Sequence, residues 1–168
     1  MVSLRELTSF PNPVDEVSAR LVAAGVVLLC SALLVTDSHW LLPVLTYGFL
    51  ARVLTGPSLS PLGQLVTRVL TPALGSPARP VPGPPKRFAQ GVGLVFTVSA
   101  CVLGYGFGQW GAAELLVAIV AGFAVLESVF AFCMGCKVFS VLMRIGVIPD
   151  EVCAACADLS LRPRVPAA

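Results

Sequence analysis

Uncharged apolar runs, separated by short charged or proline-rich stretches, set the rhythm of this chain. Leu21 to Thr36 carries no charge. The stem of Arg20 can lie along apolar surface with its head toward water, so about 20 residues are available to cross a bilayer. This predicts a first span over residues 17–36. Just upstream, Asn12-Pro13-Val14-Asp15-Glu16 has the form of a helix start, with Asn12 as cap, Pro13 at the first helical position and two acids at the positive end of the helix dipole. Asp37-Ser38-His39 is a minimal turn, and Trp40 suits a membrane interface. A second span is expected over 39–55. Pro43 and Gly48 interrupt it and Arg52 lies near its end, so a re-entrant segment is the competing expectation.

Ser60-Pro61 opens a one-sided stretch, 60–74. Leu62, Leu65, Val66, Val69, Leu70, Ala73 and Leu74 fall on one helical face, with Gln64, Thr67, Arg68 and Thr71 on the other. Too short to span, it predicts an interfacial amphipathic helix, with a packed helix of the bundle as the alternative. Residues 75–87 form a proline-rich linker, since each proline removes a donor and favours extended backbone. Phe88 to Trp110 has no charge at all and gives a third span, 88–110. A fourth follows over 112–136, with Glu114 at its start and Glu127 well inside. Beyond it, Lys137, Ser140 and Arg144 share one face, opposite Val138, Phe139, Leu142 and Ile145. One straight helix from Ala112 to Ile145 would measure roughly 50 Å, well beyond the bilayer core. The chain must therefore bend, and Gly135 is the expected break. Residues 137–160 then make a cysteine-rich juxtamembrane segment.

With 57% hydrophobic and 12% charged residues, the composition excludes an ordinary soluble fold. A net charge of +2, with no basic run interleaved with aromatics, argues against a nucleic-acid partner. The expected fold is all-α: an integral-membrane bundle of four transmembrane helices, with an interfacial helix and a short Cys-rich C-terminal helical hairpin. The first twenty residues mix acids with arginines, unlike a cleaved secretory signal, and are expected to be retained. Arg52, Arg68, Arg79, Lys86 and Arg87 lie between the second and third spans. Arg5 and Arg20 precede the first, and Lys137, Arg144, Arg162 and Arg164 follow the fourth. The two short turns carry neither Lys nor Arg. This asymmetry predicts a multi-pass protein of the cell inner membrane with both termini cytoplasmic.

The candidate chemistry is a CxxC-x16-CxxC module: Cys133 and Cys136, then Cys153 and Cys156. Four thiolates at such spacing can close a tetrahedral structural zinc site, and could equally hold iron or an iron-sulfur cluster. The competing chemistry is a pair of dithiols cycling with disulfides. Reactive thiols want a helix N-terminus or nearby cations. If the fourth span reaches Cys136, that residue ends a helix, where the dipole opposes a thiolate. Cys153 is surrounded by Asp150, Glu151 and Asp158, so neither pair is plainly activated. His39, the only histidine, is expected on the opposite side of the membrane. Cys30 and Cys101 suit small apolar positions. Glu127 lies about 9 Å along a helix from Cys133 and, with Arg20 and Arg52, forms a candidate intramembrane charge cluster. It serves either as bundle glue or as a proton or anion site beside the cysteines. Glu114 lies near enough to the far surface to need no partner.

Several motifs in order resemble a known family. Asp15 with Arg20, Arg52 with Gly56-Pro57 and Ser60-Pro61, Pro85-Lys86-Arg87-Phe88-Ala89, and Leu126-Glu127 with Phe132-Cys133-Met134-Gly135-Cys136 are similar to the bacterial integral-membrane family known as domain of unknown function 4395. The resemblance runs from about Pro11 to Ala157. The second cysteine pair, in Ile148-Pro149-Asp150-Glu151-Val152-Cys153, looks like the actinobacterial branch. The family brings no agreed activity. The resemblance tilts toward sulfur or thiol chemistry beside thioredoxin-like or sulfurtransferase proteins. Two functions are thus expected. The first is a membrane protein whose cysteine module binds structural zinc and docks a partner. The alternative is a membrane thiol-disulfide or sulfur-transfer protein working with a thioredoxin-like or sulfurtransferase partner.

Overall fold

The computed structural model describes residues 11–75, 77–153 and 156. Arg5, Asp158, Arg162 and Arg164, which enter the charge arguments above, lie outside them. Asp15 caps the first helix, α1 (Glu16–Thr36), accepting hydrogen bonds from the Ser18 amide and hydroxyl, each at 2.9 Å. The same carboxylate accepts from the Arg79 amide at 2.9 Å. This contact belongs to a two-residue antiparallel pairing of β1 (Val14–Asp15) with β2 (Pro80–Val81). The cap thus falls three residues beyond Asn12, whose side-chain oxygen accepts from the Gly83 amide instead. Burial pushes the Asp15 carboxyl up, but its three amide donors and the Ser18 hydroxyl outweigh that and leave it below its ordinary value.

α2 (Leu41–Thr55) follows a tight turn. α3 spans residues 61–73, with Ser60 as N-cap, Pro61 in its first turn and a π-helical stretch at Val66–Leu70. α4 (Gly83–Gly106) starts inside the proline-rich stretch, five residues before Phe88. Pro84 and Pro85 sit in its first turn, where a missing N–H costs no intrahelical bond. α5 (Trp110–Phe130), α6 (Met134–Arg144) and a 3-10 turn (Asp150–Cys153) complete the order.

Among the described residues, α1, α4 and α5 are long and apolar enough to cross a membrane, which makes the fold a largely helical, multi-pass bundle. α2 is apolar but, at 15 residues, measures roughly 22 Å, short of the roughly 30 Å of a bilayer core. The core is built where these four helices meet. Val26, Cys30 and Leu33 of α1, Leu42, Leu45 and Phe49 of α2, Ala100 of α4, and Ala113, Val117 and Val120 of α5 are all buried. α1 packs chiefly on α5, and α2 on α4. Leu28, Val35, Val95, Leu115 and Val129 point outward and are exposed, an arrangement that favours lipid over water as the surrounding medium. In α3, Val66 is buried and Leu62 lies against Gly25, while Leu65, Val69, Leu70 and Leu74 remain exposed.

The bundle has two chemically distinct ends. One gathers Asp15, Arg20, Arg52, Lys86, Glu127 and the cysteines Cys133 and Cys136. The other gathers His39, Tyr105, Trp110 and Glu114. The decisive departure from the sequence pattern lies at the cysteine end. A helix carried through to Cys136, with a break at Gly135, is not what forms. α5 stops at Phe130, and Ala131 takes left-handed backbone with φ of 54°. The amides of Ala131 and Phe132 both turn back to the Leu126 carbonyl. A new helix begins at Met134.

Candidate thiol site

That elbow reverses the electrostatics of the first cysteine pair. Cys133 is extended, with φ of −89° and ψ of 104°, and caps α6, its sulfur accepting from the Cys136 amide at 3.3 Å. Its sulfur therefore sits at the positive end of a helix dipole, where a thiolate is favoured, rather than near a C-terminus. The Cys136 thiol, donating to Cys133, is the main cause that holds the Cys133 thiol below its ordinary range. Burial and the Glu127 carboxylate oppose this; the Lys86 ammonium and the Cys136 amide assist it. The same sulfur contact, with burial, pushes the Cys136 thiol far up. The arrangement thus favours a thiolate on Cys133 over one on Cys136.

The site is held against α4. A Cβ on Gly135 would lie 2.6 Å from both the Cα and the Cβ of Ala89, so only glycine lets α6 approach this closely. Phe139, buried, meets Phe88 edge to face with centroids 5.7 Å apart. Lys86, one turn into α4, bonds Glu127 of α5 at 2.6 Å, both side chains 14% exposed. Glu127 is therefore paired, but with Lys86. Arg20 instead donates to the Ser128 and Val129 carbonyls at the end of α5, at 3.0 to 3.2 Å. Arg52 is buried, donating to Gln90 at 2.8 Å and Ser60 at 3.3 Å and lying over the Phe49 ring, while its Nη2 has no hydrogen-bond partner among the described residues. The expected trio of Glu127, Arg20 and Arg52 is thus three separate contacts at one end of the bundle. The sequence does not single out Lys86, because a charge at a helix border ordinarily faces solvent and only the rotation of α4 turns this one inward.

The second cysteine pair overturns the expected metal centre. Cys153 and Cys156 are joined in a disulfide, with sulfurs 2.06 Å apart. Disulfide sulfurs offer no thiolate, so a four-cysteine zinc, iron or iron-sulfur site is not formed. The first pair nevertheless shares a cavity with one cysteine of the second. Cys133, Cys136 and Cys156 line one cavity of about 420 Å³, together with Lys86, Lys137 and Ser140. Cys133 also faces a second cavity, of about 270 Å³, inside the bundle.

Among the described residues, a group able to hold a metal lies at the other end. Ligand atoms of Asp37, His39 and Glu114 fall within 4.8 Å of one another, Asp37 exposed and the other two half-buried. His39 bonds Glu114 at 3.1 Å, stacks flat on Trp110 at 3.8 Å, and has its carbonyl bonded by the Tyr105 hydroxyl at 2.9 Å. Glu114, expected to need no partner, therefore has one.

The family model described as Domain of unknown function (DUF4395) matches residues 14–144. The chain belongs to the DUF4395 family. The DUF4395 match takes in the bundle, the elbow and the Cys133–Cys136 pair, and stops before Cys153. No curated protein and no solved structure matches the chain.

Proposed function

We propose that this DUF4395 protein is a membrane thiol-disulfide relay. The observation that carries the proposal is a shared cavity, in which an activated dithiol, Cys133 and Cys136, faces a disulfide through Cys156. Cys133 attacks the Cys156 sulfur as thiolate. A Cys133–Cys156 bond forms as the Cys153–Cys156 bond breaks, and Cys153 leaves as a thiolate that takes up a proton. Cys136, losing its proton, then attacks Cys133 and releases Cys156. The products are a Cys133–Cys136 disulfide and a Cys153/Cys156 dithiol, with electrons conserved. The reverse sequence carries electrons inward from a partner that reduces Cys153–Cys156. A thioredoxin-like protein has the matching dithiol chemistry.

In this proposal α2 serves as the fourth pass, since it runs from the His39 end to the Arg52 end. Arg68 and Arg79 between α2 and α4, with Lys86 and Arg87 in the first turns of α4, support a cytoplasmic side of the inner membrane for the cysteines and both termini. Cys136→Ser supplies the test. In the purified full chain this variant should accumulate the Cys133–Cys156 mixed disulfide, seen as a cross-linked peptide by mass spectrometry under non-reducing conditions. If Cys133 stays free while Cys153–Cys156 stays closed at every pH tried, the relay is wrong.

A further inference from the structure

Exchange between the two cysteine pairs moves electrons within the chain and leaves the total unchanged, so a working relay needs a second exit. Cys133 is 8% exposed and forms wall for two cavities at once: the one shared with Cys156, and one between the spans. The inner cavity, about 270 Å³, lies just under the usual range for small-molecule sites, roughly 300–1,000 Å³. Its walls come from α1, α2, α4, α5 and α6, and Phe49, Phe96 and Phe123 give it flat aromatic surface. Polar groups reach it at few points besides Cys133. Gln90 has its side-chain oxygen taken by Arg52, which leaves its amide N–H donors for a carbonyl oxygen. Glu127 also lines this cavity, and its partner Lys86 lines the outer one, so one ion pair joins the two.

The inner cavity lies between the spans, with walls from five helices. An occupant of the inner cavity must be small, apolar, flat enough to lie among phenylalanines, and able to take two electrons and two protons from a dithiol. We propose that the inner cavity binds the ring of a lipid-soluble quinone, which Cys133 and Cys136 reduce to the quinol. The two S–H bonds break and one S–S bond forms. The two electrons pass to the ring, and the two protons end on its oxygens, which become hydroxyls. Cys136 supplies one proton. The other comes from Cys133 and passes by way of the Lys86–Glu127 pair. This deepens the relay and rests on Cys133 and Cys136 acting as a dithiol.

The full chain in detergent, reduced and freed of reductant, is mixed with decylubiquinone, whose fully substituted ring suppresses irreversible thiol addition. Quinone loss is followed by absorbance and the new disulfide by mass spectrometry. The Cys153→Ser/Cys156→Ser double variant should consume one quinone per chain and close Cys133–Cys136, and the unaltered chain should consume two. No consumption by the double variant overturns the quinone site. One equivalent from both overturns the relay and leaves the quinone site standing. Ala124→Phe, which fills the inner cavity from α5, should slow quinone loss by about tenfold or more. Alkylation of Cys133 by a water-soluble reagent should continue at the unaltered rate and so report an intact fold. Should Ala124→Phe fail to fold, Ala124→Leu takes its place. Quinone loss at full speed in the folded, filled variant overturns the assignment.

Discussion

An acid–base pair lies at each end of the bundle, and the two are built oppositely. At the cysteine end, Lys86 and Glu127 meet at 2.6 Å with both side chains 14% exposed, roofed by α6. At the histidine end, His39 and Glu114 meet at 3.1 Å with 30% and 34% exposure, beside Trp110, Tyr105 and the exposed Asp37. Water screens the second pair and leaves the first nearly unscreened, so equal changes should have unequal consequences. Shielding also lets fixed charges tune a neighbouring thiol, and the proposed relay is accordingly placed at the cysteine end.

The largest effect should come from Lys86→Met, which leaves Glu127 buried without its cation. The expected loss is about 3–5 kcal/mol of unfolding free energy, measured by denaturation in mixed detergent. The same change should move the pH midpoint for alkylation of Cys133 upward. Its thiol lies below the ordinary range in the intact protein and so reacts as thiolate at pH values where a free thiol is quiet. Removing a cation that helps hold it there raises its pKa, and the reactive window retreats to higher pH. Adding Glu127→Leu should restore most of both losses, because the opposing carboxylate goes too and the Cys136 hydrogen bond, the main cause of the shift, remains. A Cys133 profile unmoved by Lys86→Met would break the link drawn between shielding and reactivity.

Gly135→Ala should cost less, about 1–3 kcal/mol, by forcing α6 off α4, and should slow the relay as Cys133 shifts. Its counterpart Gly111→Ala, where an added Cβ meets nothing within 4 Å, should be close to neutral. Equal losses from both would remove the claim that only the cysteine end is tightly fitted. Smallest of all, His39→Ala should change stability by about 1 kcal/mol or less, since its pair is part-exposed and its stack on Trp110 is modest. The alkylation profile of Cys133 should not move.

The spans were legible because uncharged runs of bilayer length admit few other structures, and α1, α4 and α5 fall close to where those runs lie. The elbow was not. Its left-handed residue is Ala131, with neither glycine nor asparagine to announce it, and its cap is a cysteine, a residue type seldom found in that role. The one-sided pattern from Lys137 to Arg144 was visible and signalled a change of surroundings, but it does not fix where the new helix starts. Three or four residues decided the matter, turning Cys133 from the tail of one helix into the head of the next. The disulfide was illegible for a different reason: CxxC spacing suits a metal, a dithiol or a bridge equally well. Charge pairing was half legible. That Glu127 needs a cation follows from its depth, but Lys86, Arg20 and Arg52 all reach the same end, and helix rotation alone selects among them.

Arg20 finds its acceptors at Ser128 and Val129, more than a hundred positions further along the chain, and α1 leans on α5 more than on any other helix. A ribosome delivers α1 to the bilayer long before α5 exists. Until α5 arrives, the first helix must wait with its guanidinium in the headgroups and its broadest face against lipid. Assembly of this protein therefore closes like a ring whose clasp is made last, and a chain halted ahead of α5 should be recognised by membrane quality control as an orphan.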